Sequence, residues 1–320
     1  MPRRSLPRDV VPRDVVPRDV VPRDVVPREA VPLGDIARHR WLELTILLPA
    51  IGLLAAGHSL SRTAPHSLSA TLRVCADPNN MPFSDREEQG FDNQVAALIA
   101  ADLGRSLQYI WYPQRRGFIR HTIGAGVCDL VVGVPNGLPG VRTTRPFYRS
   151  TYVFVTRADR QDAIRSLDDP RLRTWRVGLH FTGGSSNPPP SHALARRGII
   201  DNVVAYSIYG DYGTPSPPTR LIDAVAAGDI DVAIAWGPMA GYTASREPVA
   251  LRVTPVAPSV DGPGVSFPFD LAVGLPPADS DEATAVQRVL DRRRDEITAI
   301  LKSYHVPLLA LAPEGPHAAN

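Results

Sequence analysis

Asp77, His180 and Asp211 are the residues of this 320-residue chain that could pass a proton if a fold gathered them. An imidazole facing carboxylates can serve as acid or base. No Ser/His/Asp order, phosphate-binding glycine loop, His-Glu-x-x-His or deaminase signature accompanies them, so the sequence does not predict an enzyme. Binding chemistry is better supplied. "HFTGGSSNPPP" puts Gly183 and Gly184 just after a strand, where backbone N–H groups can approach a ligand, although the three prolines that follow remove donors. "PQRRGFIR" offers Arg115, Arg116 and Arg120 either to an anion or to solvent and ion pairs. "GDIDVAIAWGPMAGY" delivers Trp236 and Gly237 to the end of an apolar strand. In an open α/β sheet that end faces ligands. An indole there presents a π-face, one N–H and bulk, for a ligand or for packing against Pro238.

These residues need elements to hold them, and the chain alternates strand and helix signals from Thr71 onward. "TLRVCAD" is a strand, followed by the polar loop "DPNNMPFSDREEQ". "GFDNQVAALIAADLG" sets Phe91, Val95, Leu98, Ile99 and Leu103 on one helical face, with Gly104 as its stop. "SLQYIWY" and "CDLVVGV" complete a βαβαβ half. After "STYVFVTR" a second series begins, with strands "WRVGLHF", "VVAYSIYG" and "DVAIAW" and helices near 191–197, 219–227 and 239–246. "FPFDLAVGL" returns as a strand, and one amphipathic helix is expected over Ser280–Tyr304. The predicted fold class is α/β with two lobes, each a mostly parallel sheet flanked by helices, joined by two hinge strands near 150–157 and 267–275. Lobe 1 takes residues 70–152 with 268–312, lobe 2 takes 153–267, and 313–320 form a tail. A cleft between the lobes follows from the two crossovers.

Charge narrows the partners. The formal net charge is +2, but residues 1–40 hold nine arginines and six acids, a net of +3, so the remaining 280 residues carry −1. A near-neutral body has no electrostatic footprint for nucleic acid. Cys75 and Cys128 lack metal-ligand spacing, so no metal or other cofactor is expected. They form either one disulfide or two buried thiols. Residues 7–31 repeat "PRDVV" four times and then "PREAV", which proline keeps out of helix and sheet. That leader, 1–40, is either a spacer or a translated DNA repeat ahead of the true start. "ARHRW" and the 13-residue apolar run Leu44–Ala56 then resemble a signal peptide or an uncleaved anchor within 41–69, and either places the body outside the cytoplasm. A monomer is expected, with membrane contact only through such an anchor.

The order "DPNNMPFS", "GFDNQVAALIAADLG", "GVCDLVVGV" and "LIDAVAAGDIDVAIAW" resembles periplasmic solute-binding proteins of the amino-acid-binding type (type 2), over about Leu72 to Leu308. "CADPNNMPFS", "WYPQRRGFIRHT", "TTRPFYRSTYVF", "HALARRGI", "YGDYG" and "AWGPMAGY" resemble a subgroup of them. These are the accessory proteins of PQQ-dependent alcohol dehydrogenases, the J components of methanol-oxidation systems. The resemblance implies a non-catalytic exported protein that engages such a dehydrogenase or its c-type cytochrome. An importer's receptor for a small, non-amino-acid solute is the alternative, and an enzyme on this fold a second one. It also places the cleft. Asp77, Asn79, Asn80 and Phe83 would line it from the first loop, with Arg115 and Arg116 at its mouth. Arg142, Thr143 and Thr144 would stand where amino-acid receptors clamp a carboxylate, with Arg142 or Arg145 in place of the usual guanidinium. Lobe 2 would add His180, Gly183, Gly184, Asp211, Tyr212, Trp236 and Gly237. Trp236 occupies the position where those receptors keep an Asp for the substrate ammonium. Loss of that contact would cost an amino acid about 1.5–3 kcal/mol, roughly ten- to over a hundredfold in affinity.

Overall fold

The computed structural model describes residues 69–160, 162–181, 187–208 and 217–311, all within one compact unit. The leader, the signal or anchor segment, the tail, Gly183, Gly184, Asp211 and Tyr212 lie outside the described residues. The strands are β1 (Thr71–Ala76), β2 (Asn79–Asn80), β3 (Ser84–Asp85), β4 (Ser106–Trp111), β5 (Val131–Pro135) and β6 (Arg142–Thr143). They continue with β7 (Tyr148–Arg157), β8 (Val177–Phe181), β9 (Val203–Ser207), β10 (Val232–Trp236), β11 (Leu251–Pro255) and β12 (Pro268–Leu275). The helices are α1 (Phe91–Asp102), α2 (Phe118–His121), α3 (Pro189–Arg196), α4 (Arg220–Ala227), α5 (Gly237–Ala244), α6 (Ser280–Arg292) and α7 (Arg294–Ser303). Among the described residues no helix is long and apolar enough to cross a membrane.

The fold is α/β and two-lobed. In the first lobe β1 runs parallel to β4 and meets the segment entering β5 through a parallel bridge from Val74 to Leu130. In the second, β8 lies between parallel β9 and β10. The inner strands β8 and β10 are buried on both faces, as helix-covered parallel strands must be; Val177–His180 and Val232–Ala235 are all buried. The two long strands β7 and β12 pair antiparallel with each other and with their other partners, and so carry one sheet across both lobes. Buried side chains follow this division. Two clusters draw on Leu72–Tyr148 and Leu271–Val306, and two on Val153–Phe267.

Helix α1 packs through Phe91, Val95 and Ile99, with Leu98 and Leu103 at the edge of the same cluster. Its N-cap must be glycine, since a Cβ on Gly90 would stand 2.0 Å from the Phe83 carbonyl oxygen. The three prolines expected to stiffen a loop instead open α3: Pro188 is its N-cap and Pro189 and Pro190 its first residues. Their missing N–H groups would be orphans there in any case. The single closing helix expected over Ser280–Tyr304 is two, α6 and α7, broken at Arg293. The break brings the guanidinium groups of Arg292 and Arg293 onto one carboxylate, Asp102 at the end of α1. Arg105, just beyond α1, forms a buried ion pair with Glu282 of α6 and donates to the Thr71 carbonyl.

Cys75 and Cys128 form a disulfide, with Cα atoms 5.7 Å apart. It ties β1 to the chain entering β5 across 53 residues of sequence. Closing a loop of that length removes much freedom from the unfolded chain, commonly about 2–4 kcal/mol. Thiol reduction, or a Cys75→Ala/Cys128→Ala pair, is therefore expected to lower unfolding free energy by about that amount in urea titrations. A midpoint indifferent to reductant would show that the bond does not form.

Candidate functional site

Where the two lobes meet lies a cavity of about 420 Å³ that opens to solvent. Its walls are largely apolar and carry six aromatic rings: Phe83, Tyr109 and Phe118 from the first lobe, Tyr152 and Phe269 from the crossing strands, and Trp236 from the tip of β10. The register of β10 on β7 sets Trp236 directly opposite Tyr152, the cross-strand geometry in which aromatic pairs gain most. Their ring centroids lie 5.5 Å apart at 61°. Phe269 closes the triangle, 5.8 Å from Trp236 at 78° and 6.5 Å from Tyr152 at 68°. These edge-to-face contacts satisfy the ring quadrupoles. Trp236 therefore serves both readings its position allowed: it packs, and it lines the cavity.

Polar groups enter this wall at few points. Asp77 lines the cavity but is committed to the backbone, its Oδ1 accepting from Asn79 N–H at 2.8 Å and its Oδ2 from Gln114 N–H at 2.5 Å. Asn79 and Asn80 form the β2 edge, and Asn80 donates to the Gln114 side chain at 2.9 Å. His180 is buried at the cavity wall with Nε2 2.9 Å from the Pro218 carbonyl, so that nitrogen carries the proton. Burial pushes its imidazole down to about 4, which leaves it neutral. Asp77 and His180 are thus each engaged with backbone groups rather than with each other. Among the described residues, no three or more His, Cys, Asp or Glu side chains gather as metal ligands.

The remaining sequence candidates stand elsewhere. Arg115 and Arg116 are exposed, while Gln114 and Phe118 of the same segment turn into the cavity. Arg142 donates from Nε to the Pro277 carbonyl at 3.0 Å, and Thr143 bonds Asn136. Thr144 is buried between the Arg145 carbonyl and the Val273 N–H. Arg145 pairs with Asp291 of α6 at 2.5 Å. The loop bearing these residues is held to β12 and α6, away from the cavity, so no arginine or lysine is among the described residues lining it. Gly237 is a packing position: a Cβ there would meet the Thr151 carbonyl at 2.5 Å and Pro307 at 2.6 Å.

Asp92 is the lining residue that the sequence concealed. An acid in the first turn of a helix has an ordinary explanation in the helix dipole, and nothing in "GFDN" marks it as different. In the structure it is half-buried, and its Oδ1, shielded from solvent, has no hydrogen-bond partner. Gly133, at φ +77°, makes the space: a Cβ there would stand 2.7 Å from Asp92 Oδ2. Burial pushes the carboxyl up to about 8. The positive end of α1 opposes this by about 2 kcal/mol at most, whereas raising the carboxyl that far corresponds to roughly 6 kcal/mol, so burial prevails. Burial pushes the Tyr109 phenol up to about 12, with smaller additions from the Glu88 and Asp92 charges, and raises that of Tyr148, to which the Asp92 charge adds.

No protein-family model matches the chain. It is 31% identical over 291 residues to Protein MoxJ of Methylorubrum extorquens, covering 85% of this chain and 95% of that one. Among solved structures, the periplasmic binding protein XoxJ of Methylobacterium extorquens superposes with a TM-score of 0.63 at 35% identity, over 75% of this chain and 100% of that one. MxaJ of Methlophaga aminisulfidivorans superposes with a TM-score of 0.65 at 26% identity, over 74% and 100%.

The Asp92 environment has a direct consequence for stability. The folded carboxyl holds its proton to about pH 8, while the unfolded one releases it near 3.8. Its contribution is therefore complete below the unfolded value and is lost as pH rises through the folded one. Asp92→Asn is expected to remove that decline and to leave the variant several kcal/mol more stable than the parent at about pH 9. Urea titrations across the pH range measure it; superimposable pH profiles would refute the assignment.

Proposed function

The chain belongs to the MoxJ-like family of periplasmic binding proteins, and from that premise we propose that it is an exported, non-catalytic accessory factor. Its target is a PQQ-dependent alcohol dehydrogenase of a methanol-oxidation system, or that enzyme's c-type cytochrome, during maturation or activation. The observation that carries the reading is the cavity. It keeps the binding-protein position between two lobes but has aromatic walls in place of an amino-acid clamp, with no cationic side chain among the described lining residues and Trp236 at the strand tip. A transport receptor for amino acids needs both a guanidinium for the carboxylate and an acid for the ammonium. The disulfide between Cys75 and Cys128 supports export, since such bonds persist in oxidising compartments.

The cavity also favours a second reading, an importer's receptor for a small solute that is not an amino acid. The two separate cleanly. Under the first, deletion of the gene abolishes growth on the alcohol and dehydrogenase activity in the periplasmic fraction, and the tagged protein co-purifies with the dehydrogenase or its cytochrome. Wild-type dehydrogenase activity in the deletion strain would exclude an accessory role, and loss of solute uptake alone would establish the second reading.

A further inference from the structure

Asp92 is a half-buried acid, its Oδ1 shielded from solvent, for which the fold shows no structural employment. The N-terminus of α1 is capped by Asn93, whose Oδ1 accepts from Gly90 and Asp85 N–H at 3.1 Å each. No ion pair reaches Asp92 among the described residues, and its Oδ1 is orphaned. An acid in that state is costly to keep, yet Gly133 stands clear to admit it. The carboxyl lines the same cavity as the Trp236, Tyr152 and Phe269 triangle. The described lining contains two acids, Asp77 and Asp92, and no arginine or lysine; aromatic faces add negative potential of their own. The described lining therefore offers a carboxylate ligand no cationic partner.

We propose that Asp92 and the aromatic wall form a binding site for a small organic ammonium ion, whose N–H donates to the Asp92 carboxylate while its hydrocarbon part lies against Trp236, Tyr152 and Phe269. The site concerns the cavity alone and does not depend on a dehydrogenase partner, so each reading can fail without the other. Binding is linked to pH because the ligand-free carboxyl keeps its proton to about 8, and the ammonium must displace it. The neighbouring titratable groups do not interfere. Tyr109 of β4 and Tyr148 of β7 stay protonated there, and His180 is neutral. On the other elements packed against α1, Asp85 of β3 accepts from Gln89, Arg73 of β1 pairs with Asp129, and Glu282 of α6 pairs with Arg105. Tyr304, following α7, accepts from Gln94, and Asp77 is held by the backbone of Asn79 and Gln114.

Calorimetry on the full chain with phenethylammonium, phenethyl alcohol and hydrocinnamate tests this. Phenethylammonium should bind roughly tenfold or more tightly at about pH 9 than at about pH 6.5. At the lower pH it should release close to one proton, read from the dependence of the heat on buffer ionisation. Asp92→Asn should abolish the proton release and weaken the amine roughly tenfold or more at about pH 9. Trp236→Leu should weaken binding and leave proton release intact. The proposal is overturned if the alcohol binds as tightly as the amine at high pH, if the carboxylate is preferred, if Asp92→Asn leaves amine affinity unchanged, or if folded protein binds no amine.

Discussion

The antiparallel pairing of β7 with β12 sets Pro268 against Thr151 and Leu271 against Tyr148, and the geometry of both lobes hangs from it. The crossing serves two cores, through β7 itself and through β12 with the residue that precedes it. Tyr148 and Leu271 pack with the first lobe, and Phe154 and Phe267 with the second. The backbone hydrogen bonds of this short crossing therefore fix where two otherwise separate hydrophobic interiors meet. The carboxyl-terminal segment reinforces it, with Ser150 donating to the Pro307 carbonyl at 2.8 Å and Leu309 bridging Arg149. Tyr152 and Phe269 lie on these strands and Trp236 beside them, so the aromatic wall is a by-product of how the lobes are joined.

Electrostatics divides the molecule in the same place. Arginine carries almost all of its positive charge, Lys302 being the sole lysine, and the ion pairs those guanidinium groups form lie outside the cavity. Arg73 and Arg105 share Asp129, Arg196 and Arg197 share Asp261, and Arg145 holds Asp291. A planar guanidinium with five donors is readily satisfied by such forks; in an apolar cavity it would forfeit them. What lines the cavity is mostly apolar surface, six aromatic rings among it, with two carboxyl groups, several amides and a neutral imidazole.

Periodicity made the architecture legible. Apolar runs bounded by turn residues marked the strands, the 3.6-residue face of α1 was readable, and the two crossing strands followed from the return of "FPFDLAVGL". The lobes' strand tips were legible too, which is why Asp77, His180 and Trp236 were recognisable as lining candidates. Tyr152 and Phe269 were not, because their inward direction depends on the register of two strands that meet only after both lobes form. Arg142 and Arg145 misled for a related reason: a loop's arginines look alike in sequence, and only their partners, Pro277 and Asp291, show that they face away. Asp92 was hidden by a sound local explanation, an acid at a helix start, that its tertiary surroundings override.

One detail of that environment reaches beyond the present chain. Gly133 and Asp92 lie on different elements, yet they divide a single volume: the space a side chain at one position would need is filled by the carboxyl of the other. Neither position is free to drift alone. A larger residue at 133 would evict the acid, and a smaller one at 92 would leave a void beside the glycine. The shared volume couples the two positions: the acid at 92 requires the glycine at 133, and a chain without the acid would have room for a side chain there.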